Sequence, residues 1–212
     1  MNNGLFGELW NRYEEEKIDT SKDEYLIEDG LDTDRINLYF EQKIKVLFVL
    51  KESNEVGVPR EERKRKSIYK ENGWFANFGS DRAMITKMIK MHGFIQNFNP
   101  ENPGTVTEQS VKAESRYNFA FMNLNKHGNG KVSCDTDLKS VIKSDADLLI
   151  KQIEILKPDI IVFGVKNNFK DFEEHVLNPM RFNTNKVICT CHFSRISYKD
   201  FETQATEALK SP

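Results

Sequence analysis

Four stretches of this chain join a short apolar run to a polar exit, and the exits carry the chemistry. Glu52, Ser53 and Asn54 follow Ile44–Leu50. Asn123, Asn125, Lys126 and His127 close or follow Tyr117–Leu124. Gly164, Val165 and Lys166 follow Ile160–Phe163, and His192, Phe193, Ser194 and Arg195 follow Val187–Cys191. A carboxylate, amides, an imidazole and a guanidinium converging on one crevice can bind a polar planar ligand and assist bond cleavage. Glu52 is the only carboxylate in the set and so the natural general base. His192 can stabilise a developing anion or position a phosphate. Asn123 offers both a donor and an acceptor to a base edge, and Asn54 can do the same. Ser194, Arg195 and Lys126 are of the types that meet phosphate.

The elements that must position these residues follow from pattern. Ile44–Leu50 is broken only by Lys45, and a short continuous run rich in Val and aromatic residues predicts a strand buried on both faces. The other three runs predict strands of the same kind. Helices alternate with them: Asp81–His92 with Gly93 just past its end, Ser144–Leu156 with Ser144 and Asp147 as a capping pair, Asn168–Val176, and a last helix capped by Ser197. Lys157-Pro158-Asp159 stops the second of these. This alternation predicts a three-layer α/β/α sandwich around a central, mainly parallel four-stranded sheet. In such a sheet ligands bind beyond the carboxyl ends of the strands, where the four exits lie.

The whole chain, residues 1–212, reads as one α/β domain with residues 1–43 as a helical lead-in. Leu5, Phe6, Leu9, Trp10 and Tyr13 recur at helical spacing, so this start is a helix that packs on the main body. Asp29-Gly30 is a turn signal and Arg35–Phe40 a short helix. Val56–Ser80 is long for a loop. It carries the basic run Arg60, Arg63, Lys64, Arg65, Lys66, a solvated loop by default and a phosphate contact by alternative. Trp74, Phe75 and Phe78 follow, as loop anchors or as a platform on which a base stacks. Asn97–Gly104 is a turn region, and Thr107–Ser115 a short helix.

Composition narrows the classes. A net charge of -2 gives the molecule no bulk attraction to nucleic acid, so polyanion binding must rest on a local patch. Three cysteines, Cys134, Cys189 and Cys191, form no disulfide framework and fit a reducing compartment. No secretory signal opens the chain and no apolar stretch approaches membrane-spanning length, so a cytoplasmic protein without membrane contact is expected. Cys189 and Cys191 lie beside His192 on one strand, but no further ligand has recognisable metal spacing. Gly128-Asn129-Gly130-Lys131 lacks the spacing of a phosphate loop and reads as a turn.

The series from Ile44 to Ser197 resembles the uracil-DNA glycosylase superfamily. Leu50-Lys51-Glu52-Ser53-Asn54 stands where that family carries its water-activating loop, and Glu52 falls at the position of the catalytic Asp or Asn of several branches. Arg82–Gly93 matches a helix ending in Gly, and Asn123 in FAFMNLNK matches the Asn near the base pocket. LLIKQIEILKPDIIVFG reproduces the family's lysine-proline, strand, glycine series. His192-Phe193-Ser194 matches His-Pro-Ser, with Phe193 in the place of Pro. The resemblance implies hydrolysis of an N-glycosidic bond of an extruded DNA base. Glu52 would orient or deprotonate water and His192 would stabilise the leaving base. Asn123, Asn54, Phe75 and Trp74 would hold the base, with Ser194, Arg195 and Lys126 on phosphate. No cofactor is implied, since three cysteines cannot supply the four ligands of the family's iron–sulfur branches. DNA or a nucleobase or nucleotide is the expected partner, with no obligate protein partner. The alternative is a binding module that uses the same fold to hold a nucleobase, nucleotide or DNA without cleavage.

Overall fold

The computed structural model describes residues 6–18, 27–31, 36–52, 66–67, 82–101, 118–127, 135–193 and 195–210. Its centre is an all-parallel sheet of four strands: β2 (Val46–Glu52), β4 (Ala120–Asn125), β5 (Ile160–Phe163) and β6 (Val187–Cys189). The spatial order is β4-β2-β5-β6. Two residues each from β1 (Ile27–Glu28) and β3 (Lys66–Ser67) pair parallel in a separate ribbon.

Strand alternation sends the apolar run of β2 into two cores. Val46, Phe48 and Leu50 pack with α3 (Arg82–Asn97) and with the last helix of the chain, through Met88, Met91, Phe94, Phe201 and Ala205. Leu47 and Val49 pack on the other face with α1 (Gly7–Lys17), α4 (Asp135–Ser144) and α5 (Ala146–Leu156), through Trp10, Tyr13, Leu138, Leu149 and Ile153. Helices therefore cover both faces, which is why the strands read as unbroken apolar runs. A five-residue helix, α2 (Ile36–Phe40), adds Tyr39 to the second core.

Several boundaries differ from the sequence reading, each for a physical reason. Gly93 does not end α3, which runs on to Asn97. Burying Phe94 and Ile95 contributes roughly 1.5–3 kcal/mol each, against about 1 kcal/mol lost to a helical glycine. Ser144 does not start α5. It ends α4, and its Oγ donates to Val141 O at 3.1 Å and to Asp145 Oδ1 at 2.7 Å. After β5, a helical turn Lys166–Asn168 leads into α6 (Phe169–Phe172). A wider turn Glu173–Leu177 and a final turn Asn178–Met180 extend it past Val176.

Other readings hold. Lys157 closes α5 in the left-handed region at φ 48, its N–H on Ile153 O at 2.8 Å, just before Pro158. Ser197 caps α7 (Tyr198–Lys210): its Oγ accepts from Asp200 N at 3.1 Å and donates to Asp200 Oδ2 at 2.6 Å. The expected helix Thr107–Ser115 lies outside the described residues, as do the basic residues Arg60, Arg63, Lys64 and Arg65. Among the described residues no helix is long and apolar enough to cross a membrane.

Candidate functional site

Strand order decides which exits meet. From β2 the chain crosses to β4 on one side, then to β5 on the other, so the sheet has its switch point between β2 and β5. The exit of β2 is thus central. Leu50 pairs with Asn123 and Glu52 with Asn125, which puts these backbones side by side at the carboxyl edge. The exit of β6 lies two strands from β2, about 10 Å away, and three strands from β4, about 14 Å away. Glu52 and Asn123 therefore lie on adjacent strands, whereas His192 follows the strand at the far edge of the sheet. Asn54, Trp74, Phe75 and Ser194 lie outside the described residues.

The exit of β4 is not an open wall. Asn123, Asn125 and Lys126 are all buried. Asn125 Oδ1 accepts the N–H of His127 at 2.9 Å, which turns the chain. Lys126 corrects the expectation of a phosphate contact. Its side chain is fully buried, and Nζ donates to Asp29 Oδ1 at 2.8 Å, Asp29 Oδ2 at 2.9 Å and Asn123 O at 3.0 Å. The ammonium also lies 5.5 Å from the Trp10 ring centre and 5.8 Å from that of Tyr13. Burial pulls its pKa down, opposed by Asp29 and then Asp145.

Asp29-Gly30 is likewise not a surface turn. It runs along the outer edge of β4, where Gly30 bridges Phe121 and accepts its N–H at 2.9 Å. Asp29 Oδ2 accepts the next outward N–H, that of Asn123, at 2.6 Å, and Gln152 Nε2 donates to Oδ1 at 2.6 Å. A carboxylate and a carbonyl thereby satisfy the edge that a bare strand would expose. Gly30 sits at φ +121, and a Cβ there would meet the Phe6 ring at 3.2 Å.

Behind this lies a second pair. Asp145, almost wholly buried at the junction of α4 and α5, has Oδ2 3.5 Å from His127 Nε2, and His127 retains 19% of its side-chain surface. Burial, then Asp145, Asp29 and Asp147, hold the Tyr13 phenol well above its ordinary value. Sequence reasoning named His127 only as part of a polar exit and missed Asp145. No short motif links two residues eighteen positions apart.

At the other edge, Phe193 anchors the turn. The N–H of Arg195 meets His192 O at 2.8 Å, which leaves His192 and Arg195 exposed and Phe193 fully buried. The Phe193 ring meets Phe48 edge-on at 5.5 Å and covers Gly164, where a Cβ would lie 2.7 Å from Cζ. Glycine in that position is the space the ring needs.

His92, also missed by sequence reasoning, is no part of the crevice. It is buried in α3 against Phe119, with Nε2 3.1 Å from Gln96 Nε2, and burial pushes its pKa down to about 4. Cys189 is half-buried with its thiol pushed up to about 11 by burial, and Cys191 is exposed. Among the described residues no cluster of three or more His, Cys, Asp or Glu could hold a metal ion.

Fold and edge together define an α/β protein whose parallel sheet has its switch point between β2 and β5, with polar residues at the strand exits. Compared with family models, with curated proteins and with solved structures, the chain finds no match.

Proposed function

We propose that this protein is a divergent uracil-DNA glycosylase-like protein that takes a nucleobase into the crevice beyond β2, β5 and β6 and hydrolyses its N-glycosidic bond. One observation carries the reading: the strand order sets Glu52 at the central exit, with Asn123 beside it and the His192 turn two strands away. A planar base between the two exits has a carboxylate residue on one side and an imidazole on the other. Glu52 orients or deprotonates the attacking water. The water oxygen bonds to C1′ as the C1′–N bond breaks, and the electron pair leaves with the base. His192 stabilises the resulting anion. Asn123 and Asn54 read the base edge, Trp74 or Phe75 stacks on it, and Ser194 and Arg195 meet the flanking phosphate.

Base release from DNA holding uracil, hypoxanthine or alkylated bases tests the activity. Glu52→Gln and His192→Ala are expected to abolish release, and wild-type protein that releases no base from the panel excludes the enzyme reading. The burial of Lys126 favours a second reading, a module that binds a nucleobase or nucleotide without cleavage, because it removes one expected phosphate contact. Saturable binding without release supports that reading, and binding to DNA in particular should weaken as salt rises.

A further inference from the structure

We propose that Lys87 of α3 is a positioning residue for the proposed base release: it holds the turn that carries His192, through the carbonyl of Ile196. The inference rests on the base-release reading above, in which His192 stabilises the leaving base. Lys87 acts through the backbone of the turn, not on the base.

β6 ends at Cys189 and α7 begins at Tyr198, so the residues between them depend on other ties. The backbone there folds on His192: the N–H groups of Arg195 and Ile196 both donate to His192 O, at 2.8 Å and 3.3 Å. α7 takes Ser197 O as an acceptor, for the N–H of Phe201 at 3.1 Å, so Ile196 O stands just outside the helical ladder. Lys87 Nζ donates to that carbonyl at 3.0 Å, from an element 109 positions earlier in the chain. Two hydrogen bonds in series, Lys87 to Ile196 and Ile196 to His192, therefore connect α3 to the residue that carries the imidazole.

The neighbouring side chains show what the cation adds. Phe193 and Ile196 are buried in the core that Met84, Met88 and Met91 of α3 also fill, while His192 and Arg195 stay exposed. Apolar burial is non-directional, so it fixes the depth of the turn and not its rotation about the line from Phe193 to Ile196. A hydrogen bond is directional. Lys87, partly buried, supplies one, and an ammonium on a carbonyl makes a charge-assisted bond stronger than a neutral one. Rotation of the turn would displace His192, which lies on its exposed side. A displacement of about 1 Å at such a group can cost about 100-fold in rate.

The test uses the full chain with two substitutions. Lys87→Met keeps length and helix propensity and removes the donor, and Lys87→Arg keeps a charged donor. Amide hydrogen exchange is followed by NMR, and steady-state base release is measured on DNA holding uracil, hypoxanthine or alkylated bases. In Lys87→Met the amides of Arg195 and Ile196 should exchange about 10- to 100-fold faster. That of Gly164, bonded to Val49 O at 2.9 Å in the sheet, should not change. kcat should fall about 10- to 100-fold at nearly constant KM, and Lys87→Arg should restore both readouts. Unchanged exchange at Arg195 and Ile196, or equal acceleration at Gly164, overturns the tie. A rise in KM with kcat unchanged assigns Lys87 to DNA contact and overturns it as well. Faster exchange with normal kcat overturns the positioning role and leaves the base-release reading standing. No release by wild type overturns that reading and the positioning role with it, while the exchange result still decides whether Lys87 holds the turn.

Discussion

The buried Asp29–Lys126 pair is the feature whose disruption the structure evaluates best. Lys126→Met keeps length and removes charge. Asp29 then stays wholly buried, with the N–H of Asn123 and the amide of Gln152 as donors but without its counter-ion. Breaking one side of such a pair costs about 3–5 kcal/mol, because a charge is left uncompensated in the interior. Asp29→Asn strands the ammonium and should cost a similar amount. The double variant removes both charges, and Asn Oδ1 can still accept the outward N–H of Asn123. It should therefore be more stable than the sum of the single losses predicts, by about 2–3 kcal/mol. For a chain of this size, 3–5 kcal/mol lowers Tm by roughly 10 °C. Urea unfolding at fixed pH, followed by circular dichroism, measures all three variants, with the slope checked for a change in unfolding behaviour. Additive losses, or a Lys126→Met variant within about 1 kcal/mol of wild type, would refute the coupling.

Three further outcomes follow from single sites. His92 has its pKa lowered to about 4 by burial. The unfolded chain therefore binds the extra proton first: stability is full above about pH 6.5 and falls by about 3 kcal/mol as pH drops toward 4. His92→Gln should remove that part of the slope, and an unchanged slope by pH-dependent urea unfolding argues against it. Gly164→Ala drives a methyl into the Phe193 ring and should cost about 1–3 kcal/mol. Phe193→Leu in the same chain should recover part of the loss in a thermal melt, and no recovery would mean that the ring is not the obstacle. Ser197→Ala removes the cap of α7 and should cost about 1 kcal/mol, read as a small fall in Tm.

Strand positions were legible because both faces of the sheet are covered, which leaves apolar runs such as Ile160–Phe163 with no polar alternation to confuse them. The start of α7 was legible because Ser197 and Asp200 form a local capping pair. What failed depended on distant partners. Gly93 resembles a helix stop until Phe94 and Ile95 are seen to enter the core. Asp29-Gly30 has the form of a turn, and only the edge of β4 explains why it is buried. Lys126 looks like a surface cation because its counter-ion is ninety-seven residues away. α4 was missed although Leu138 and Ile142 have helical spacing and both enter the core. Of the site, the exits of β2 and β4 could be named from sequence. Which exits adjoin depends on crossover order, and no local pattern encodes it.

The central proposal is that Glu52 and the His192 turn serve one base from two sides of the switch point. Base release from uracil- and hypoxanthine-containing DNA, measured with wild type, Glu52→Gln and His192→Ala, tests it most directly. The expected result is release by wild type and none by either variant, with both variants folded. Release that persists in both would contradict the assignment of these residues, and no release by wild type would contradict the reaction itself.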